Sequence, residues 1–74
     1  MRVYLGIDVG SVSTNLVALT PACEVIENEY VMTRGRPLEA VKEIMRIGGQ
    51  RLADAEVMGV GTTGSGRALA AAMV

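Results

Sequence analysis

The 74-residue chain has no histidine, phenylalanine or tryptophan, a single cysteine, Cys23, and only two aromatic residues, Tyr4 and Tyr30. Each shortage removes a class of function. Without histidine there is no Ser-His or Cys-His nucleophile pair, and the commonest general base is missing. One cysteine excludes an internal disulfide framework. It also leaves no Cys/His cluster for zinc or for an iron–sulfur centre within the chain. The formal net charge is −1 and no basic block occurs. With almost no aromatic rings for stacking, that balance argues against a nucleic-acid partner. The apolar runs are too short to span a bilayer, and Asp8 follows Arg2 too closely for a secretory leader. No membrane role is expected, and a cytoplasmic location follows.

What the chain does have is aliphatic. Half of its residues are hydrophobic, so a core must be built from Val, Ile, Leu, Met and Ala, in one small domain near the lower size limit for independent folding. Val3 to Asp8 reads as a short apolar strand, Asn15 to Thr20 as a second, and Glu24 to Thr33 as a third, outer strand with one wet face. Pro37 opens a helical pattern in which Leu38, Val41, Ile44 and Met45 recur at three- and four-residue steps. Gly48-Gly49 should weaken that helix near its end. A fourth strand over Glu56 to Val60, a loop over Gly61 to Gly66 and a helix from Arg67 complete the order β-β-β-α-β-α. The fold class is α/β with a mixed sheet: an antiparallel meander, then a helical crossover that can return the fourth strand parallel.

Two glycine-hydroxyl loops carry the candidate chemistry. The first runs through Asp8, Gly10, Ser11, Ser13 and Thr14; the second holds Gly61, Thr62, Thr63, Gly64 and Arg67. Small residues after a strand let backbone N–H groups converge on an anion, and hydroxyls add donors. A carboxylate beside phosphate is repulsive unless a divalent cation lies between them, commonly magnesium retaining several waters. Asp8 is therefore a candidate for orienting a magnesium–water cluster. The plainer alternative makes Asp8-Val9-Gly10-Ser11 a hairpin turn and nothing more.

At the second loop, Gly59-x-Gly61-x-x-Gly64 fits a dinucleotide fingerprint, but the strand before it is short and the sequence stops before the position, about 20 residues on, at which the ribose-binding acid is expected. Gly61 and Gly66 have P-loop spacing, yet Arg67 and Ala68 stand where that motif needs Lys and Ser/Thr. A tight strand-to-helix turn is the non-functional alternative.

With both loops considered, "LGIDVGSVSTNLVAL" and "GVGTTGSGR" resemble the first phosphate loop and the second glycine loop of the ATPases of the actin, sugar kinase and heat-shock chaperone superfamily. Within it the likeness is to the ATPase activators of 2-hydroxyacyl-CoA dehydratases and of benzoyl-CoA reductase. The resemblance covers essentially the whole chain and implies the N-terminal part of a ribonuclease-H-like, actin-like ATPase domain, cut at its C-terminal end. The uncapped tail "GRALAAAMV" suggests the same, with a terminal partner-binding helix as the plainer alternative.

The resemblance implies ATP or ADP with Mg2+ as ligands, with Asp8 orienting the metal water and Gly10, Ser11, Ser13 and Thr14 lining the phosphates. For the full-length family it also implies a [4Fe-4S] cluster shared between two subunits, whose cysteines are absent here. The implied partner is an acyl-CoA dehydratase or reductase, and the implied activity is ATP hydrolysis coupled to electron transfer. The 74-residue chain alone is expected to be inactive and to self-associate as a homo-oligomer. Val12 stands where many relatives carry a hydroxyl, and Asn15 where many carry Lys. Two alternatives therefore stay open: part of a sugar or acyl kinase, with Thr62 and Thr63 facing an acceptor, or a catalytically silent interaction module.

Overall fold

The structure, a computed structural model, describes residues 1–73; Val74, the last residue of the apolar tail, lies outside them. Six elements follow in chain order: β1 (Arg2–Val9), β2 (Ser13–Leu19), β3 (Val25–Met32), α1 (Pro37–Arg51), β4 (Glu56–Thr63) and α2 (Arg67–Met73). The strands form one mixed sheet whose spatial order differs from chain order, β3-β2-β1-β4. β1 pairs antiparallel with β2 and parallel with β4, and β2 pairs antiparallel with β3.

Alternation decides which face each strand buries. In β1, Val3, Ile7 and Val9 are buried while Tyr4 and Asp8 are exposed. In β2 the buried set is Thr14, Leu16 and Ala18. These residues meet Val41 and Ile44 of α1 and Ala70 of α2 in a single cluster, flanked by Leu5, Val31 and Met45. Both helices thus lie on one side of the sheet. The opposite side, which carries Tyr4, Asp8, Asn15, Val17 and Tyr30, is covered by no element of the described residues.

Helix α1 begins as its proline suggests, with Pro37 in the first turn and no side-chain cap on Arg36. Its buried stripe is Ala40, Val41, Ile44 and Gly48, so the expected stripe shifts: Leu38 is left exposed. Gly48 does not end the helix, which continues to Arg51. A Cβ at Gly48 would stand 3.1 Å from Leu16 Cδ1, so the glycine lets helix and sheet approach closely at that point. Arg51 then reaches β3, its Nε 2.9 Å from Glu29 Oε1.

The strands run longer than expected at the end of the sheet that carries the two glycine loops. β2 starts at Ser13 rather than Asn15, and β4 continues to Thr63 rather than stopping at Val60. Gly61, Thr62 and Thr63, read from sequence as loop, pair in register with Gly6, Ile7 and Asp8. Parallel pairing to a full-length β1 outweighs the local glycine signal, and β-branched threonines suit a pleated backbone. No helix of the described residues is long and apolar enough to cross a membrane.

Candidate functional site

Parallel pairing brings the C-terminal ends of β1 and β4 side by side, the place where open α/β sheets bind ligands. Both glycine loops leave from that edge. The first is a tight connection in which the Gly10 N–H donates to the Ser13 carbonyl at 3.0 Å. A Cβ at Gly10 would sit 2.9 Å from that same carbonyl oxygen, so the turn needs a glycine.

The second loop, reduced to Gly64, Ser65 and Gly66, docks on the end of β1. The Gly66 N–H donates to the Val9 carbonyl at 3.1 Å, and Ser65 Oγ donates to it at 3.3 Å. Gly64 has φ +91°, and a Cβ there would lie 2.4 Å from the Val9 oxygen and 2.6 Å from Asp8 Oδ1. The two loops are therefore one structure: the second is pressed against the acid that precedes the first.

On the open face the register lines up a polar row. Asp8 lies opposite Asn15 on β2 and opposite Thr63 on β4. The next row inward is Val17, Gly6 and Gly61. Neither glycine has any atom within 4 Å of where a Cβ would stand. Two adjacent missing side chains leave a hollow of about 370 Å³, with Asp8, Asn15 and Thr63 at one end and Val17 beside it. Asn15 Nδ2 donates to Ser13 Oγ at 3.3 Å, which fixes the amide at the rim.

The residues expected at the site are not all turned toward it. Ser11 is exposed at the tip of the first loop, and Ser13 is half-buried beside Asn15. Thr14 is fully buried on the helix side. Thr33 Oγ1 donates to the Gly10 carbonyl at 2.7 Å and lies 3.0 Å from Thr14 Oγ1. Its one proton is thus committed, and Thr14 donates to it. This chain of bonds ties the first loop to the end of β3, a tie strengthened by the Thr33 N–H donating to the Val12 carbonyl at 2.8 Å. Thr62 lines the hollow from below, and Arg67 bonds back to the Gly64 carbonyl through Nη1 at 3.1 Å.

Sequence reasoning missed Thr33 and Gly6. Thr33 had no signal short of the fold. Gly6 did: a glycine inside an apolar strand often marks a close approach or an open slot. The burial of Thr14 was also foreseeable, since it shares parity with Leu16 and Ala18.

The donor set at the hollow is hard oxygen: one carboxylate, one amide and one hydroxyl. Among the described residues no group of three or more His, Cys, Asp or Glu side chains comes together. A fully protein-held metal is thus not provided for, whereas a magnesium ion carried in largely by phosphate and water needs only one carboxylate. Asp8 fits that limited demand. Cys23 does not fit a cluster role, being a lone exposed thiol in the β2–β3 turn, at the opposite end of the sheet from Asp8. No protein-family model matches the chain, and no curated protein matches it at a significant level.

Proposed function

We propose that the chain is the phosphate-binding part of an actin-like ATPase, with the ribonuclease-H-like half-domain as its frame, and that it holds Mg-ATP or Mg-ADP at the joint end of β1 and β4. The observation that carries this reading is the convergence of the two glycine loops on Asp8, with Gly64 packed against the carboxylate and the Val9 carbonyl. In this reading the exposed Ser11, the half-buried Ser13 and the backbone amides of the first loop face phosphate oxygens. Asp8 receives the magnesium through its water shell, and Thr63 and Asn15 border it. When bound, magnesium supplies the positive charge that lets a carboxylate and phosphates share one site. Gly6 and Gly61 keep side chains out of the space, and Thr33 holds the first loop rigid through Gly10. The activity proposed for the whole protein is ATP hydrolysis that drives electron transfer to an acyl-CoA dehydratase or reductase. A single cysteine cannot by itself hold an iron–sulfur cluster, so the ligands of the cluster implied for the whole protein are not in this chain.

A non-catalytic interaction module is the second reading, and one observation favours it: Thr14, expected at the phosphates, is spent inside the core. Titration with ATP and ADP, each with and without magnesium and followed by amide shifts, separates the two. Magnesium-dependent shifts at residues 6–15 and 61–67, abolished in Asp8→Asn, are the expected result. Shifts that are absent in the wild type, or that persist unchanged in Asp8→Asn, overturn the assignment.

A further inference from the structure

The chain has seven Lys and Arg side chains with which to balance phosphate, and most are engaged elsewhere or distant. Arg46 pairs with Glu43, Arg51 with Glu29, and Arg67 donates to the Gly64 carbonyl. Arg2 starts β1, at the far end of that strand from Asp8, and Lys42 is exposed on α1. The hollow itself is bordered by a carboxylate and by no Lys or Arg. Arg34 and Arg36 remain. Among the described residues neither side chain makes a hydrogen bond or an ion pair.

The backbone places these two differently. β2 and β3 pair in a register that sets Thr14 against Val31 and Ser13 against Met32. The Thr33 N–H, donating to the Val12 carbonyl, extends that ladder by one residue. One step further, the same register sets Arg34 against Ser11, the exposed tip of the first loop. The bond from Thr33 Oγ1 to the Gly10 carbonyl fixes the juxtaposition. Arg36 instead opens α1, its carbonyl accepting from the Ala40 N–H. Thr33 to Arg36 form a two-residue turn, closed by the Arg36 N–H donating to the Thr33 carbonyl at 2.9 Å, with φ +53° at Arg34 and +67° at Gly35. Left-handed values at both central positions select Asn, Asp or Gly for the first and Gly for the second. Gly35 obeys this preference and Arg34 does not. A long cationic side chain thus stands where turn chemistry favours a short one, and non-glycine residues held in this way cluster at ligand sites.

On the nucleotide reading given above, on which this rests, we infer that Arg34 is a phosphate-binding residue of the same site, its guanidinium closing on oxygens that face the first loop. A guanidinium keeps its charge at any working pH and offers a rigid fork of donors that matches phosphate. The side chain is exposed and borders a cleft of about 210 Å³ between the end of β3 and the first turn of α1, which it shares with Arg36 and Glu39. Exposed side chains change rotamer within nanoseconds, so nothing buried has to move for Arg34 to swing to the loop. Positive charge then meets the phosphates at two points, magnesium at Asp8 and guanidinium opposite Ser11.

The test repeats the titrations with Mg-ATP and Mg-ADP on Arg34→Gly, Arg34→Asn, Arg34→Lys and Arg36→Gln. Glycine and asparagine suit left-handed backbone, so the first two variants should keep or raise the urea midpoint while nucleotide binding weakens about tenfold or more. That weakening should shrink as salt rises, because a charge is what has been removed. Arg34→Lys should recover part of the lost affinity. Arg36→Gln, with the same change in net charge as Arg34→Gly, should bind as the wild type does. Magnesium-dependent shifts at residues 6–15 and 61–67 that are as strong in Arg34→Gly and Arg34→Asn as in the wild type overturn the inference and leave the nucleotide reading standing. Equal losses in Arg34→Gly and Arg36→Gln also overturn it, since net charge would then account for both. Absence of shifts in the wild type removes the nucleotide reading and the role of Arg34 with it.

Discussion

Replacing Gly64 with alanine should be among the most damaging single-methyl changes in this protein. Its φ of +91° is costly for any residue with a Cβ, a strain of about 1–3 kcal/mol. The added carbon would also stand 2.4 Å from the Val9 oxygen and 2.8 Å from the Val9 carbonyl carbon. Those are backbone atoms of the central strand, so no side chain can swing aside. Relief requires the loop to lift off β1, and overpacking of that kind costs about 1–3 kcal/mol more. The sum, roughly 2–6 kcal/mol, compares with a total stability of roughly 4–11 kcal/mol for a chain of this size. Urea unfolding followed by circular dichroism measures it, and Gly35→Ala supplies the control. Gly35 also has positive φ, +67°, but nothing lies within 4 Å of its Cβ position, so only strain of about 1–2 kcal/mol applies. If the two variants lose stability equally, contact between the second loop and β1 contributes nothing, and the two loops do not form one unit.

Gly61→Ala should leave the urea midpoint unchanged or slightly raised, because its Cβ meets open space and alanine lowers the entropy of the unfolded chain; the same methyl, standing in the hollow, should weaken magnesium-dependent nucleotide shifts. Thr33→Val should cost about 1–3 kcal/mol, since it strands both the Gly10 carbonyl and the Thr14 hydroxyl, whereas Thr14→Val, which removes one bond, should cost less by the same unfolding assay. The Arg46 guanidinium, hydrogen-bonded to Glu43, holds that carboxyl below its ordinary value of 4.5. A depressed folded-state value gives a contribution present above about pH 4.5 and lost as pH falls through the folded value. The stability gap between wild type and Glu43→Gln should therefore close on the acid side at low salt and be absent at high salt, as for any exposed pair.

The path of the chain was legible from periodicity and punctuation. Apolar runs separated by Gly-Ser and Thr-Pro gave the meander, Pro37 marked the start of α1, and a helical crossover implied a parallel return. What local patterns missed were long-range effects. Gly61 to Thr63 look like loop until β1 is beside them, because their strand conformation comes from pairing with residues more than fifty positions earlier. Gly48 looks like a helix breaker until Leu16 is seen beneath it. At the site, the acid and the two glycine loops were found in the sequence, and parity alone would have removed the Thr14 hydroxyl. Thr33 became visible only when β3 brought it to the hairpin tip.

The central position of β1 has a consequence for how the protein assembles. Its antiparallel neighbour follows after a turn of three residues, while its parallel neighbour arrives only after β2, β3 and α1 have been passed. Local pairing is kinetically favoured and distant pairing is slow, so the meander should close first, and for a time β1 is itself an open edge. The hollow, the seat of Gly64 and the polar row across Asn15, Asp8 and Thr63 all wait for that last strand to dock. Pulse-labelled hydrogen exchange during refolding should accordingly protect amides of residues 13–19 before those of residues 57–63. Simultaneous protection of both would mean that the sheet forms in one concerted step.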